Sequence, residues 1–328
     1  MSARRRLLVI KTSSLGDVVH ALPAISDIAD IGQWEIDWVC EDAFADIPAL
    51  HPAVGRVIPC AIRRWRRTWT TAPGRAEMAA FRRSLQSTRY DVVLDLQGLI
   101  KSALVVRVAR GDRHGYAWNS AREPLATLAY DHKHVVAWGQ HAIARNRQLT
   151  SATLATSIAA PPRFGLKIEA YPDAADPFVV ALHATSRADK LWPEENWRRL
   201  LTRLSGDGVR AVLPWGNDVE RARSLRIALG IAGASVPERM DPGALAALFA
   251  RSAAVAGVDT GLLHLATAVG TPSAAIFVAT DPALTGVVGE RSPAVNLGGN
   301  GSTPNVESVW QAIAPWLGSA ATSPAGAG

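Results

Sequence analysis

The sequence predicts an α/β chain of two doubly wound domains, and three observations predict it. Short apolar runs alternate with helical patterns throughout. The alternation starts afresh at residue 178, after a stretch at 159–177 rich in Pro, Ala and Gly, which is the linker candidate. The chain has 328 residues, 48% of them hydrophobic, and single cores stop growing at roughly 250–300 residues.

In the first half, 6–12 (RLLVIKT), 35–41 (EIDWVCE), 56–61 (RVIPCA) and 91–97 (DVVLDLQ) read as strands, and the segments after residues 17 and 76 read as helices. Apolar strands alternating with helices imply a parallel sheet covered on both faces. In the second half, 178–184 (FVVALHA) reads as a buried strand. A helix follows at 192–204, with Pro193 in its first turn and acids near its start. Residues 209–216 are the next strand and 218–229 a helix. The helix at 241–251 takes Asp241 as N-cap and Pro242 at its first position. Residues 253–278 read as strand, tight loop, helix, glycine stop and strand. The expected boundaries are 1–165, 166–317 and a disordered tail at 318–328. Such sheets bind ligands at the carboxyl ends of their strands, so the two domains are expected to face each other across a cleft.

The formal net charge of +6 favours anionic partners. Two isolated cysteines, Cys40 and Cys60, make neither a metal cluster nor a disulfide framework and suit a reducing compartment. The four apolar residues before Lys11 are too few for an export signal. No stretch approaches the roughly 18–20 apolar residues of a membrane span. The chain reads as cytoplasmic, with membrane contact left open. It has neither GxxxxGK[ST] nor GxGxxG, so neither a P-loop hydrolase nor a nicotinamide dehydrogenase is signalled.

Four strand-end loops can carry chemistry. In AGVDTGLLHLA (256–266), Asp259, Thr260 and Gly261 turn into a helix whose free N–H groups suit a phosphate, and His264 lies one turn on; the alternative is an N-capping aspartate and a packing histidine. In HATSRADK (183–190), Thr185 and Ser186 offer hydroxyls and Arg187 and Lys190 add charge, against an ordinary solvated loop. These two loops end equivalent strands, and together they suggest an anion-binding crevice. In LPWGNDVERARSL (213–225), Trp215 and Gly216 could wall a base and Glu220 could accept from ribose hydroxyls, although a first-turn helix acid is the plainer reading. In KTSSLGD (11–17), Asp17 follows Ser13, Ser14 and Gly16. A carboxylate there can take a proton from an attacking hydroxyl, and all three polar residues are also N-cap types. Separately, Arg63, Arg64, Arg66 and Arg67 surround Trp65 in the most basic stretch, 61–83. That pattern suits phosphates, carboxylates or a membrane interface, or is a solvated charge run. No RNA-binding module accompanies it.

The segments KTSSLGDVVHALPAISD, IPCAIRRWRR, DLQGLIKSA, HATSRADKLWPEENW, LPWG and VDTGLLHLATAVGTP occur in this order. With them the chain resembles glycosyltransferase family 9 over about residues 6–317. The resemblance implies a GT-B fold of two Rossmann-like domains, the first binding acceptor and the second ADP-heptose. It implies inverting transfer of L-glycero-D-manno-heptose from ADP-L-glycero-D-manno-heptose to the inner Kdo of Kdo-lipid A, by a protein peripheral on the cytoplasmic face of the inner membrane. Another member of the family with a different acceptor, or a non-catalytic nucleotide-binding protein, remain the alternatives. By the resemblance Asp17 is the general base, with Lys190 assisting departure of ADP. Ser14, Thr185, Ser186, Lys190, Glu220, Met240, Asp259, Thr260, Gly261 and His264 fall on donor-site positions, and Arg63, Arg64, Arg66 and Arg122 on acceptor-site positions. No DxD pair calls for a metal, so no cofactor beyond the donor is expected, and no nucleic acid. The Arg4–Arg6 extension and the tail match nothing in the family.

Overall fold

The computed structural model describes residues 4–168 and 176–318. Part of the linker candidate (169–175) and nearly all of the expected tail (319–328) therefore lie outside the described residues. The chain divides into two units, Met1–Lys167 and Ile168–Gly328.

The first unit is built on a six-stranded sheet in the order β3-β2-β1-β4-β5-β6. The strands are β1 (Arg5–Ile10), β2 (Trp34–Glu41), β3 (Val54–Cys60), β4 (Arg89–Asp95), β5 (Arg110–Tyr116) and β6 (His132–His134). All neighbours run parallel. Its helices are α1 (Leu15–Val19), α2 (Leu22–Ile31), α3 (Asp46–Ala49), α4 (Ile62–Thr68), α5 (Ala72–Gln86), α6 (Ile100–Val108) and α7 (Ala142–Leu154). The last four residues of β1 are wholly buried, as an apolar strand covered on both faces requires. One core joins Leu8 and Ile10 to Val39, Ile58, Val93 and Val106.

The second unit repeats the plan in the order β12-β11-β10-β7-β8-β9, again all parallel. Its strands are β7 (Phe178–Leu182), β8 (Arg210–Val212), β9 (Ala234–Ser235), β10 (Ala254–Val258), β11 (Ser273–Phe277) and β12 (Ala294–Gly298). Its helices are α8 (Glu194–Gly206), α9 (Asp218–Ala228), α10 (Pro242–Arg251), α11 (Gly261–Ala268), α12 (Pro282–Thr285) and α13 (Val306–Ile313). Trp192 and Trp197 meet edge-on at 5.0 Å in its core, and the Trp192 indole N–H donates to Pro304 O at 2.8 Å.

Asp241 caps α10, its carboxylate accepting from the Ala244 N–H at 2.7 Å, with Pro242 first in the helix. Pro193 stands one position earlier than the sequence suggests. It is the N-cap of α8, and its extended ψ of 140° precedes the first helical residue, Glu194. The strand expected over 209–216 shortens to Arg210–Val212. Pro214 has no N–H to continue a ladder. Trp65, which the sequence offered to a membrane interface, is instead a core residue of the first unit, buried and 5.1 Å from the Phe81 ring. Among the described residues no helix is long and apolar enough to cross a membrane.

Candidate active site

In each sheet the chain leaves the middle in one direction and later returns to build in the other. The reversal falls between β1 and β4 in the first unit and between β7 and β10 in the second. Loops leaving the two strands at such a reversal open a crevice beyond their carboxyl ends, where ligands of this fold class sit.

In the first unit the β1–α1 loop, 11–14, lies against the β4–α6 loop. Gln97 Oε1 accepts from the N–H groups of Thr12 at 3.0 Å and Ser13 at 3.3 Å. Gln97 is itself fixed, because its N–H donates to the fully buried Asp95 carboxylate at 2.8 Å. Asp95 also accepts from Ser102 Oγ and from Tyr130 Oη, each at 2.7 Å. Burial pushes the Asp95 carboxyl above its usual range, opposed by those hydrogen bonds. Gly98 closes the turn at φ +66°, and a side chain there would start 3.0 Å from the Tyr116 ring.

Asp17 stands on this platform. Its Oδ2 accepts from Ser14 N at 3.0 Å and Ser14 Oγ at 3.2 Å, so it closes the start of α1. The cap is therefore a working part of the loop and not incidental: it holds one carboxylate oxygen and aims the other. That other oxygen, Oδ1, has Arg122 Nη1 at 3.6 Å and Lys11 Nζ at 3.9 Å. Both distances are too long for hydrogen bonds, so Oδ1 keeps its lone pairs within a cationic field. Lys11 is buried and donates to Leu96 O at 2.7 Å. Burial lowers its pKa, and Asp17 works in the opposite direction. Lys101, from α6, donates to Ser13 Oγ at 2.5 Å.

In the second unit the loop after β7 meets the loop after β10. Lys190 Nζ donates to Asp259 Oδ2 at 2.6 Å, Thr280 Oγ1 donates to the same oxygen at 2.6 Å, and Thr185 Oγ1 donates to Asp259 O at 3.0 Å. His264 Nε2 lies 3.9 Å from Asp259 Oδ1. The N-cap of α11 is Thr260, not Asp259, whose carboxylate turns inward to the lysine. The N–H groups of Gly261 and Leu262 open α11, while the Leu263 N–H donates to Thr260 O at 3.1 Å. Thr280, after β11, carried no sequence signal: it is a lone hydroxyl 21 residues from its partner.

The remaining candidates are more dispersed. Ser186 is exposed on the β7 loop. The Glu220 carboxylate accepts from Gly216 N and from Asn217 Nδ2, each at 2.8 Å, so it closes the start of α9, the plainer of its two readings. Met240 is half-buried just before the Asp241 cap. On α4, Arg64 is spent on Asp42 at 2.8 Å and Glu77 at 2.5 Å. Arg63 and Arg66 are exposed and point to different neighbours: Arg63 lies 5.9 Å from the Phe44 ring, and Arg66 lines a groove. The backbone N–H of Arg63 also donates to the buried Glu41 at 3.3 Å, a carboxyl raised by burial. Cys40 and Cys60 are buried free thiols, both with pKa pushed up by burial. Among the described residues no group of three His, Cys, Asp or Glu could hold a metal ion.

Residues 78–312 match the family described as glycosyltransferase family 9 (heptosyltransferase). The chain is 45% identical over 306 residues to lipopolysaccharide heptosyltransferase 1 of Escherichia coli K12, covering 89% of this chain and 95% of that protein. It superposes on E. coli heptosyltransferase WaaC with ADP at a TM-score of 0.88 and 44% identity, over 95% of this chain and 99% of the other. The same enzyme with ADP-2-deoxy-2-fluoro heptose gives 0.83 and 43%, over 93% and 98%.

Proposed function

The chain belongs to glycosyltransferase family 9, and on that premise we propose that it is the heptosyltransferase that moves L-glycero-D-manno-heptose from ADP-heptose to the inner Kdo of Kdo-lipid A. The observation that carries this reading is the extended match to heptosyltransferase 1, together with a carboxylate oxygen left open at one sheet reversal and a lysine-anchored helix start at the other.

The chemistry follows from those groups. Asp17 Oδ1 takes the proton from the acceptor hydroxyl as that oxygen attacks the anomeric carbon. Direct displacement inverts the configuration. Lys11 and Arg122 surround the carboxylate with positive charge and steer the acceptor's acidic sugar. As the bond to ADP breaks, negative charge grows on the diphosphate. Lys190, with ammonium protons beyond the one given to Asp259, and the first N–H groups of α11 stabilise it. Thr185 and Thr280 hold Asp259, which holds Lys190. Ser186, Glu220 and Met240 serve the donor's remaining atoms, and Arg63, Arg64 and Arg66 serve the acceptor's phosphates and carboxylates. Lys190 and the α11 amides supply positive charge where the leaving group develops its negative charge. The acceptor is a lipid, and we infer that the enzyme works peripherally at the cytoplasmic face of the inner membrane.

Incubation with ADP-heptose and Kdo-lipid A, with products read by mass, tests the reading. One heptose added to Kdo-lipid A supports it. Transfer only to an acceptor that already carries a heptose moves the chain to a later step, and ADP binding without transfer to either makes it a nucleotide-binding protein.

A further inference from the structure

The first unit carries a groove of whose lining the chemistry above uses only Arg66. The groove, of about 1090 Å³, runs between α5 and α6. Its walls are largely apolar, with Trp69 and Leu104 62% and 65% exposed and Met78 and Ile100 exposed beside them. Leu125 and Leu128 are also exposed, on the 124–129 turn that packs against α6. An exposed apolar groove rimmed by charged side chains is the usual form of an interaction site.

The rim says what covers it. Arg66, Arg75, Arg82 and Lys101 line the groove, and among the described residues Glu123 is the one acid in its wall. That acid is occupied, accepting the Ile100 N–H at 2.6 Å. The α5 segment (APGRAEMAAFRRSLQ) buries only Gly74 and Leu85 fully and carries three arginines along its length. An arginine-bearing helix beside exposed Trp, Met and Leu has the make-up of an interfacial element, whose apolar side chains enter the acyl boundary while its cations meet lipid phosphates. The groove also reaches the reacting loop. Lys101 in its wall donates to Ser13 Oγ at 2.5 Å, and Glu123 adjoins Arg122, 3.6 Å from Asp17.

We propose that this groove face docks on an anionic phospholipid bilayer, with Trp69 and Leu104 entering the headgroup–acyl boundary and Arg75 and Arg82 meeting lipid phosphates. The proposal deepens the reading of a lipid-borne acceptor and rests on it. A bilayer seated here presents its glycolipids to Asp17 without extracting them.

The test is sedimentation of the full chain with vesicles of phosphatidylcholine alone or with phosphatidylglycerol, alongside turnover on a fully deacylated, water-soluble acceptor. Wild type should partition onto the phosphatidylglycerol vesicles, less so at high salt. Trp69→Ser/Leu104→Ser should lose roughly tenfold in partition. Arg75→Gln/Arg82→Gln should lose the preference for phosphatidylglycerol and most of the salt dependence. Both variants should turn over the soluble acceptor like wild type, which also reports that they are folded. Unchanged partition of the serine double variant overturns the proposal. So does a wild type that ignores vesicles while the serine variant raises KM only for acylated acceptor, since the groove then holds the acceptor's own chain. If wild type fails on the soluble acceptor yet binds vesicles as described, the functional reading falls and the docking face stands.

Discussion

The two units share a topology and differ in what they place at the same point of it. At the first reversal, between β1 and β4, the carboxylate of Asp17 is 26% exposed and has one oxygen outside any hydrogen bond. At the second, between β7 and β10, the carboxylate of Asp259 is 8% exposed and grips Lys190 and Thr280. One acid is held by a cap that spares an oxygen, and the other is neutralised by a lysine. The sheet reversal chooses where a ligand can sit, and on the proposed reading the partners of one carboxylate decide whether the place accepts protons or binds anions. The difference can be broken from either side.

The largest effect is expected at Asp17. Asp17→Asn retains an oxygen to accept the Ser14 N–H and so keeps the cap, but it cannot take a proton. Turnover should fall by about 10²–10⁴-fold in Asp17→Asn and in Asp17→Ala alike, with ADP binding little changed. Initial rates and calorimetry separate the two readings of this residue. If Asp17→Asn turns over near normally while Asp17→Ala does not, the residue is a cap and the base lies elsewhere.

The second unit offers the reverse experiment. Lys190→Ala removes an anion contact worth roughly 1.5–3 kcal/mol, or about 10–200-fold in ADP affinity. It also leaves Asp259 buried beside the incoming diphosphate, so part of the loss is repulsion. Lys190→Ala/Asp259→Asn should therefore bind ADP more tightly than Lys190→Ala alone, as a coupled pair requires. Equal affinity for the single and double variants would show that the carboxylate does not face the ligand.

A third test uses one buried histidine in each unit. Burial lowers the pKa of His51 to about 4, helped by Arg163, and that of His183 to about 4, helped by Arg223. Each is neutral when folded, and unfolding restores a value near 6.5. Above pH 6.5 neither state is protonated and the full stability is present. As pH falls from 6.5 towards 4 the unfolded chain takes up the proton first, and stability is lost. Each histidine should cost about 2 kcal/mol between pH 7 and pH 5. Denaturant midpoints measured across that range should fall for wild type, and His51→Asn should flatten the slope for the first unit only. A slope unchanged by His51→Asn would remove that histidine from the acid response.

How far the sequence reveals the site depends on how close in the chain the partners lie. Ser14 and Asp17 are three residues apart, and Asp241 caps its own helix, so local chemistry shows both. The order of motifs likewise exposes the strand-end loops. The Lys190–Asp259 pair joins residues 69 apart, and nothing local distinguishes a lysine bound for phosphate from one already paired with an aspartate. The Gln97 support is hidden for the same reason, 84 and 85 residues from the amides it holds. The strands β5 and β6, RGDRHGY and HKH, lack the apolar run that marks a buried strand, because they lie at and near the sheet edge. Trp65 misleads because four arginines surround it in sequence, while the helix turns it inward onto Phe81.

That same helix sets the smallest expected effect. Its arginines look equivalent in sequence and are not equivalent in space. Arg64 already holds Asp42 and Glu77, whereas Arg63 and Arg66 are exposed and form no such ion pair among the described residues. An acceptor phosphate meeting Arg64 must displace two carboxylates first. Arg63→Ala and Arg66→Ala should each raise the acceptor KM several-fold, and Arg64→Ala should raise it less; a contact to a charged group on an open surface is worth little more than that. All of these differences should shrink with added salt, because charges beyond about 8 Å are screened at physiological ionic strength. Donor KM should not move, since the loops proposed for the donor belong to the second unit. Initial rates on deacylated acceptor over a salt series decide the matter. Arginines of equal weight would mean that the ion pairs of Arg64 open freely, and no change in any variant would leave the run as a solvated surface.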